Sequence, residues 1–351
     1  MNALLQRRAL TLFACALPLI AASAAPVGPA LDRTALPSRD AARAVLLGAA
    51  RAGTRIVAVG ERGIVVCSDD EGSSWRQAKV PVSVTLTAVR FVDERYGWAT
   101  GHSGTVLATT DGGQSWKRQF DGHEAARALR EEAQRRGDPV ALKEAERLVA
   151  DGADKPFLDL HFFDRQRGIV VGAYNLAFST QDGGLSWQPL SDRLDNPKAL
   201  HLYAVRVRGE TVLIAGEQGL VLKSDDQGRS FRRLSTPYHG SFFTAELPTD
   251  GAIVLAGLRG NVWRSTDGGA SWASLDLGAP VSVTASALHA RGVLLANQGG
   301  GLFLLTDGAV QALPGQPGAP ATGLLGLGDE RVLVLSLRGI AVSTVTQRSR
   351  P

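Results

Sequence analysis

The sequence predicts an all-β fold, a seven-bladed β-propeller with acidic turns repeated around the ring and a short helical-hairpin insertion. Three observations carry that reading. An eight-residue motif recurs five times, as S-D-D-E-G-S-S-W at 68–75, T-T-D-G-G-Q-S-W at 109–116, T-Q-D-G-G-L-S-W at 180–187, S-D-D-Q-G-R-S-F at 224–231 and S-T-D-G-G-A-S-W at 265–272. Its closing aromatics step by 41 residues from Trp75 to Trp116, 44 from Trp187 to Phe231 and 41 from Phe231 to Trp272, a period that means stacked supersecondary units. A second column of glycine or small polar residues (Gly60, Gly101, Gly172, Gly216, Gly257, Asn297 and Ser336) closes an apolar run in each unit and raises the count to seven.

Residues 1–24 read as a cleaved secretory signal. Arg7 and Arg8 precede an apolar run from Ala9 to Ala22 that ends in the small residues Ala22-Ser23-Ala24, and the run is too short to span a bilayer. Cys15 lies inside that run, which argues against a lipid-modified cysteine at the mature start. Its removal leaves Cys67 as the single thiol, so stability rests on a core and not on a disulfide. The formal net charge of +4 falls by two with the leader, too weak an imbalance for a nucleic-acid or membrane-surface binder. A soluble periplasmic product without a cofactor is expected.

The propeller then occupies residues 25–351. In unit two the runs L-T-A-V-R-F, Y-G-W-A-T-G, G-T-V-L-A-T-T and W-K-R-Q-F are rich in β-branched and aromatic residues and broken by glycine, which predicts four short antiparallel strands per unit. The step from Trp116 to Trp187 is 71 residues, so a segment is inserted between blades two and three. Within 121–155, Ala126, Leu129 and Ala133 share one helical face, and Leu142, Ala145 and Leu148 share another. Gly137-Asp138-Pro139 between them supplies a stop, an N-cap and a first-turn proline, which predicts a helical hairpin. The seventh unit, 321–344, holds three strands, and residues 31–38 are expected to donate its fourth and close the ring.

In each motif the carboxylates of Asp70, Asp111, Asp182, Asp226 and Asp267 accept hydrogen bonds from turn N–H groups, glycine supplies unusual backbone angles, and the aromatic is expected to bury its ring beside the next blade. An acid copied to one turn of blade after blade is structural, not catalytic. Calcium needs more oxygens than these loops offer, and no metal site is expected.

This motif is the Asp-box, or BNR repeat. The longer stretches V-R-F-V-D-E-R-Y-G-W-A-T-G-H-S-G-T-V-L-A-T-T-D-G-G-Q-S-W at 89–116 and H-F-F-D-R-Q-R-G-I-V-V-G-A-Y-N-L-A-F-S-T-Q-D-G-G-L-S-W at 161–187 resemble the photosystem II stability and assembly factor family. That resemblance implies a seven-bladed, exported, non-enzymatic protein of photosynthesis-type assembly. The insertion ending D-K-P-F-L-D-L-H-F-F resembles the version found in non-photosynthetic bacteria. The implied partner is then another membrane-protein complex or one of its subunits, a transporter among the candidates.

Turns between second and third strands share one face with the links between blades and with the helical hairpin. Arg62, Arg259 and Arg338 occupy equivalent places in G-E-R-G, G-L-R-G and S-L-R-G, and blades seven and one are neighbours. In the first strands Arg90, His161, Arg206 and Glu246 are equivalent positions facing the central channel. Arg62, Arg259, Arg338, Arg90 and Arg206 are therefore the candidate partner-binding residues for a carboxylate-bearing partner. Solvated turn tips and strand edges carry such residues as well. The alternative function, a sialidase-type glycoside hydrolase, needs an arginine triad and a Tyr–Glu pair, for which Tyr174 and Glu217 are the candidates. His102 and His239 are isolated and expected at the surface, and Cys67 is expected as a small buried hydrophobe.

Overall fold

The computed structural model describes residues 27–314, 318–328 and 330–345, so the expected leader with Cys15 lies outside the described residues. Seven antiparallel sheets follow one another, each with its strands in sequence order. Blade one comprises Leu46–Ala52, Arg55–Gly60, Val65–Ser68 and Arg76–Gln77. The first strands of the next five are Leu86–Phe91, Phe157–Phe162, Leu202–Arg208, Phe242–Glu246 and Val283–His289. Blade seven comprises Ala321–Leu327, Arg331–Ser336 and Gly339–Thr344. Each first strand touches that of the following blade, and that of blade seven touches that of blade one, so the ring is closed around an axial cavity of about 210 Å³.

The burial pattern explains why the strands read as they do. Second strands are buried along their length apart from an occasional first residue, as in Arg55–Gly60 and Ile253–Gly257, because they are flanked within the sheet and covered on both faces by neighbouring blades. Among the described residues, each seam between consecutive blades holds its own apolar cluster. The motif aromatics go into these seams, but toward the preceding blade and not the next one. Trp116 of blade two lies with Val57, Val65 and Cys67 of blade one, and Trp187 of blade three lies with Trp98 and Phe120 of blade two. The turn folds each aromatic back: the Trp116 indole N–H donates to the Gly113 carbonyl at 3.1 Å, holding the ring over the inner side of its own hairpin.

The glycine column has a steric cause. Glu61 N–H donates to the Val45 carbonyl and Leu258 N–H to the Ser241 carbonyl, both at 2.9 Å. This brings each carbonyl so close that a Cβ on Gly60 or Gly257 would sit 2.1 Å from it.

Residues 31–38 do not extend blade seven. Ala35 N–H donates to the Val80 carbonyl at 3.0 Å, Ser83 N–H to the Ala30 carbonyl at 2.8 Å, and Ser38 N–H to the Gln77 side chain at 2.8 Å. Leu31 finds its burial in the seam of blades one and two, beside Val80, Val82 and Val84, and the 3₁₀ turn Ala30–Asp32 and Pro37 leave no uninterrupted strand to offer blade seven. Among the described residues blade seven keeps three strands.

The hairpin forms as its caps dictate. Helix α1, Gly122–Arg136, starts at Asp121, whose carboxylate accepts from His123 and Glu124 N–H while Glu124 returns to Asp121 N–H, and it ends at Gly137 in the left-handed region, φ 63°. Helix α2, Pro139–Asp151, is capped by Asp138. The start of α1 lies against the turn His102–Gly104, and the helix runs over the outer strand of blade three, where Arg136 pairs with Asp192 at 3.3 Å. The hairpin thus stands on the face that carries the turns between second and third strands.

Candidate functional site

Five of those turns are single 3₁₀ turns whose middle residue is left-handed: Arg62 (φ 53°), Ser103 (59°), Tyr174 (54°), Gln218 (51°) and Arg259 (57°). A side chain placed there leaves the turn at its tip, and Arg62 and Arg259 are exposed. Arg338 is exposed at the tip of the two-residue turn in blade seven, where its N–H donates to the Ser336 hydroxyl at 3.1 Å. None of the three guanidinium groups has a carboxylate partner among the described residues.

Arg62 and Arg338 come to the same seam. The 3₁₀ turn Ala41–Arg43 lies between them, close enough that a Cβ on Gly339 would meet the Arg43 backbone at 2.5 Å. Beside Arg62 a groove of about 1180 Å³ is lined by Arg33, Arg43, Leu36 and Ile64 together with Asp32, Asp40 and Glu61, of which Asp32 pairs with Arg118 at 3.1 Å and Glu61 accepts from the Val45 N–H at 3.0 Å. Arg33 and Arg43 are additions that sequence reading missed: Arg33 belongs to the segment 31–38 expected to be a strand of blade seven, and Arg43 to the turn Ala41–Arg43 that follows it. Arg259 stands apart on blade five.

The channel column is an internal ion network. Asp159 accepts from Arg90 at 3.3 Å and makes a short contact with Arg206, which also reaches Glu246 at 3.5 Å; Ser286 donates to Glu246 at 2.6 Å. Asp159 and Glu246 side chains are only 6% exposed. Burial works to raise the Asp159 pKa, but Arg206 and Arg90 outweigh it and hold the carboxyl below its usual range. Burial, reinforced by Arg90, lowers His161 to about 4, so its ring is neutral at physiological pH. Two arginines matched by two carboxylates leave Arg90 and Arg206 without charge to offer a partner. Asp159, the hub, was missed by sequence reading.

The Asp-box carboxylates are taken up by their own turns. Asp111 accepts from the Thr109 hydroxyl at 2.8 Å, the Ser115 N–H at 3.0 Å and the Ser115 hydroxyl at 2.6 Å, and Asp70, Asp182, Asp226 and Asp267 repeat the pattern. The serine hydrogen bonds lower Asp70 to about 2. Among the described residues no group of three acidic, His or Cys side chains is arranged to hold a metal ion.

The turns carrying Tyr174 and Glu217 meet at His201: Glu217 accepts from the His201 N–H at 3.0 Å, and the Tyr174 ring packs edge-on against His201 and under Lys155. The arginine triad of a hydrolase does not assemble, since Arg62 and Arg338 share one seam and Arg259 stands on blade five. His102 and His239 are exposed; Cys67 is buried, and burial pushes its thiol up to about 11.

The family model of the photosynthesis system II assembly factor Ycf48 matches residues 67–151 and 139–308. A photosystem II assembly lipoprotein Ycf48 from Synechococcus sp. is 32% identical over 117 residues, which cover 33% of this chain and 35% of that protein, so the chain spans about a third of that relative's length. A solved structure of Ycf48 bound to D1 peptide superposes with a TM-score of 0.66 at 17% identity, covering 87% of this chain and 94% of the other. Ycf48 from Cyanidioschyzon merolae superposes with a TM-score of 0.62 at 16% identity, covering 86% and 95%. At such identities the superpositions speak for the propeller fold.

Proposed function

The chain belongs to the photosystem II assembly factor Ycf48 family, and from that premise we propose that it is a non-catalytic exported scaffold that docks a subunit of a membrane-protein complex during assembly. One observation carries the reading: the arginines of the hairpin face, Arg62 with Arg33 and Arg43 around one groove, Arg338 across the turn Ala41–Arg43 and Arg259 on blade five, are exposed and without an ion-pair partner among the described residues, whereas the acids of the channel and turns are satisfied internally. Unpaired guanidinium groups fit carboxylate-bearing segments of a partner. The relative solved with a D1 peptide supports a client of this class, a segment of a membrane-protein subunit. The naming of the Synechococcus relative as a lipoprotein supports export, and no described helix is long and apolar enough to cross a membrane.

The test is co-purification of the tagged chain from detergent-solubilised membranes, with partners identified by mass spectrometry. The reading expects a membrane-protein subunit that is lost when Arg62, Arg259 and Arg338 are changed together to Glu in a protein that still folds. Capture of the same subunit by the charge-reversed protein contradicts it.

A further inference from the structure

Among the described residues blade seven ends in Gly339–Thr344, a strand whose outer edge is unpaired. Its register with Arg331–Ser336 is unbroken, pairing Ser336 with Gly339 and Val334 with Ala341, and Val345 N–H continues the ladder to the Glu330 carbonyl at 2.7 Å. Antiparallel alternation then turns the N–H and C=O groups of Ile340, Val342 and Thr344 outward, where no described residue bonds them.

Four of the other blades guard their outer edges with charge or proline, while blades five and six end in the short uncharged strands Ala273–Leu275 and Ala309–Ala312. Arg76–Gln77, Gln188–Pro189 and Arg232–Arg233 are two residues long and carry arginine or proline, and Lys117–Phe120 begins with Lys-Arg. Short, charged or proline-bearing edges resist pairing. G-I-A-V-S-T has no charge, no proline and no bulge, and Val342 and the adjacent Leu337 are 43% and 52% exposed. Such an edge is a template for another strand.

We propose that blade seven pairs edge to edge with blade seven of a second copy of this chain, forming a two-fold dimer through a continuous sheet. Self-pairing about Val342 sets Val342 opposite Val342 and Ile340 opposite Thr344. That arrangement satisfies all outward groups of both copies, roughly six hydrogen bonds, with no like charges opposed. Closed two-fold association is also the commonest way in which a self-complementary patch is used. The pairing leaves the turns bearing Arg62 and Arg259 free, whereas Arg338 lies in the turn that leads into the paired strand, so Arg62 and Arg259 are the positions that test docking apart from it.

The experiment is sedimentation velocity on the purified full chain across a micromolar concentration series. The wild-type protein forms a concentration-dependent dimer. Val342→Pro abolishes it while leaving the circular dichroism spectrum and melting temperature nearly unchanged, since the N–H removed points outward. Val342→Lys, which sets like charges opposite each other, weakens the dimer at least tenfold. A protein that stays monomeric throughout overturns the proposal, as does a dimer that survives both substitutions. A monomer that dimerises only when residues 346–351 are deleted also overturns it, because the chain's own tail would then occupy the edge.

Discussion

The Thr322 hydroxyl donates to the Leu46 carbonyl at 2.5 Å across the seam where the last blade meets the first. Thr87 makes the same bond to the Phe157 carbonyl at 2.9 Å and Thr284 to that of Ala321 at 2.7 Å, so the seam that joins the chain ends is built like internal ones. Arg331 paired with Glu71 at 3.2 Å and Trp75 packed beside Leu333 complete it. Among the described residues the ring is closed by contacts between blades and not by a shared sheet.

Thr322→Val therefore lowers stability by about 1 kcal/mol, because a carbonyl loses its donor, and Thr322→Ser restores it. Urea midpoints of the three proteins check this. An unchanged midpoint in Thr322→Val would place closure elsewhere.

Arg206→Met leaves Arg90 alone against two buried carboxylates, Asp159 and Glu246, and costs about 3–5 kcal/mol. Removing one acid together with the arginine, in Arg206→Met with Glu246→Leu, leaves the Arg90–Asp159 pair balanced and recovers most of that loss. The comparison is made by equilibrium unfolding at neutral pH, and a double variant as weak as the single one would show that the network itself, not the uncompensated charge, is what matters.

The repeat made the blades legible because both of its columns answer to local physics: Gly60 and Gly257 leave room for a carbonyl, and Asp111 caps its own turn. The hairpin was legible through Asp138, Pro139 and Gly137. What stayed hidden depended on which strands meet at a distance. Asp159 stands where the other first strands carry Gly48, Ala88, Ala204, Thr244, Ala285 and Gly323, the positions nearest the axis, and only the assembled ring shows that its carboxylate meets arginines from the blades on both sides. Residues 31–38 were misplaced because the first segment of a closed ring lies near blades seven, one and two alike, and the choice rests on where Leu31 is buried.

His161 makes folding sensitive to acid. Its pKa falls from an unfolded value of about 6.5 to about 4 in the folded chain, so the unfolded state takes up the proton first and stability drops as pH falls from about 6.5 to about 4. Above that window the neutral ring contributes fully. His161→Phe flattens the profile there, measured as the urea midpoint against pH; an equal slope in both proteins would assign the acid sensitivity to other groups.

Asp111→Ala releases four hydrogen bonds of one turn and lowers stability by about 1–2 kcal/mol, the smaller end because the site is partly solvated. Calcium leaves the melting temperature of the wild-type protein unchanged, since the carboxylate oxygens are already engaged. A calcium-dependent rise that Asp111→Ala removes would make the Asp-boxes ion sites.

The docking reading is tested most directly by photo-crosslinking in intact cells, with a photoreactive residue at position 62 or 338 on the hairpin face, or at position 114 in an Asp-box turn at the opposite end of a blade. Crosslinks from 62 and 338 to a membrane-protein subunit, with none from 114, are the expected result. Crosslinks to that subunit from 114 alone, or equally from all three positions, would contradict a partner held by the arginine-bearing face.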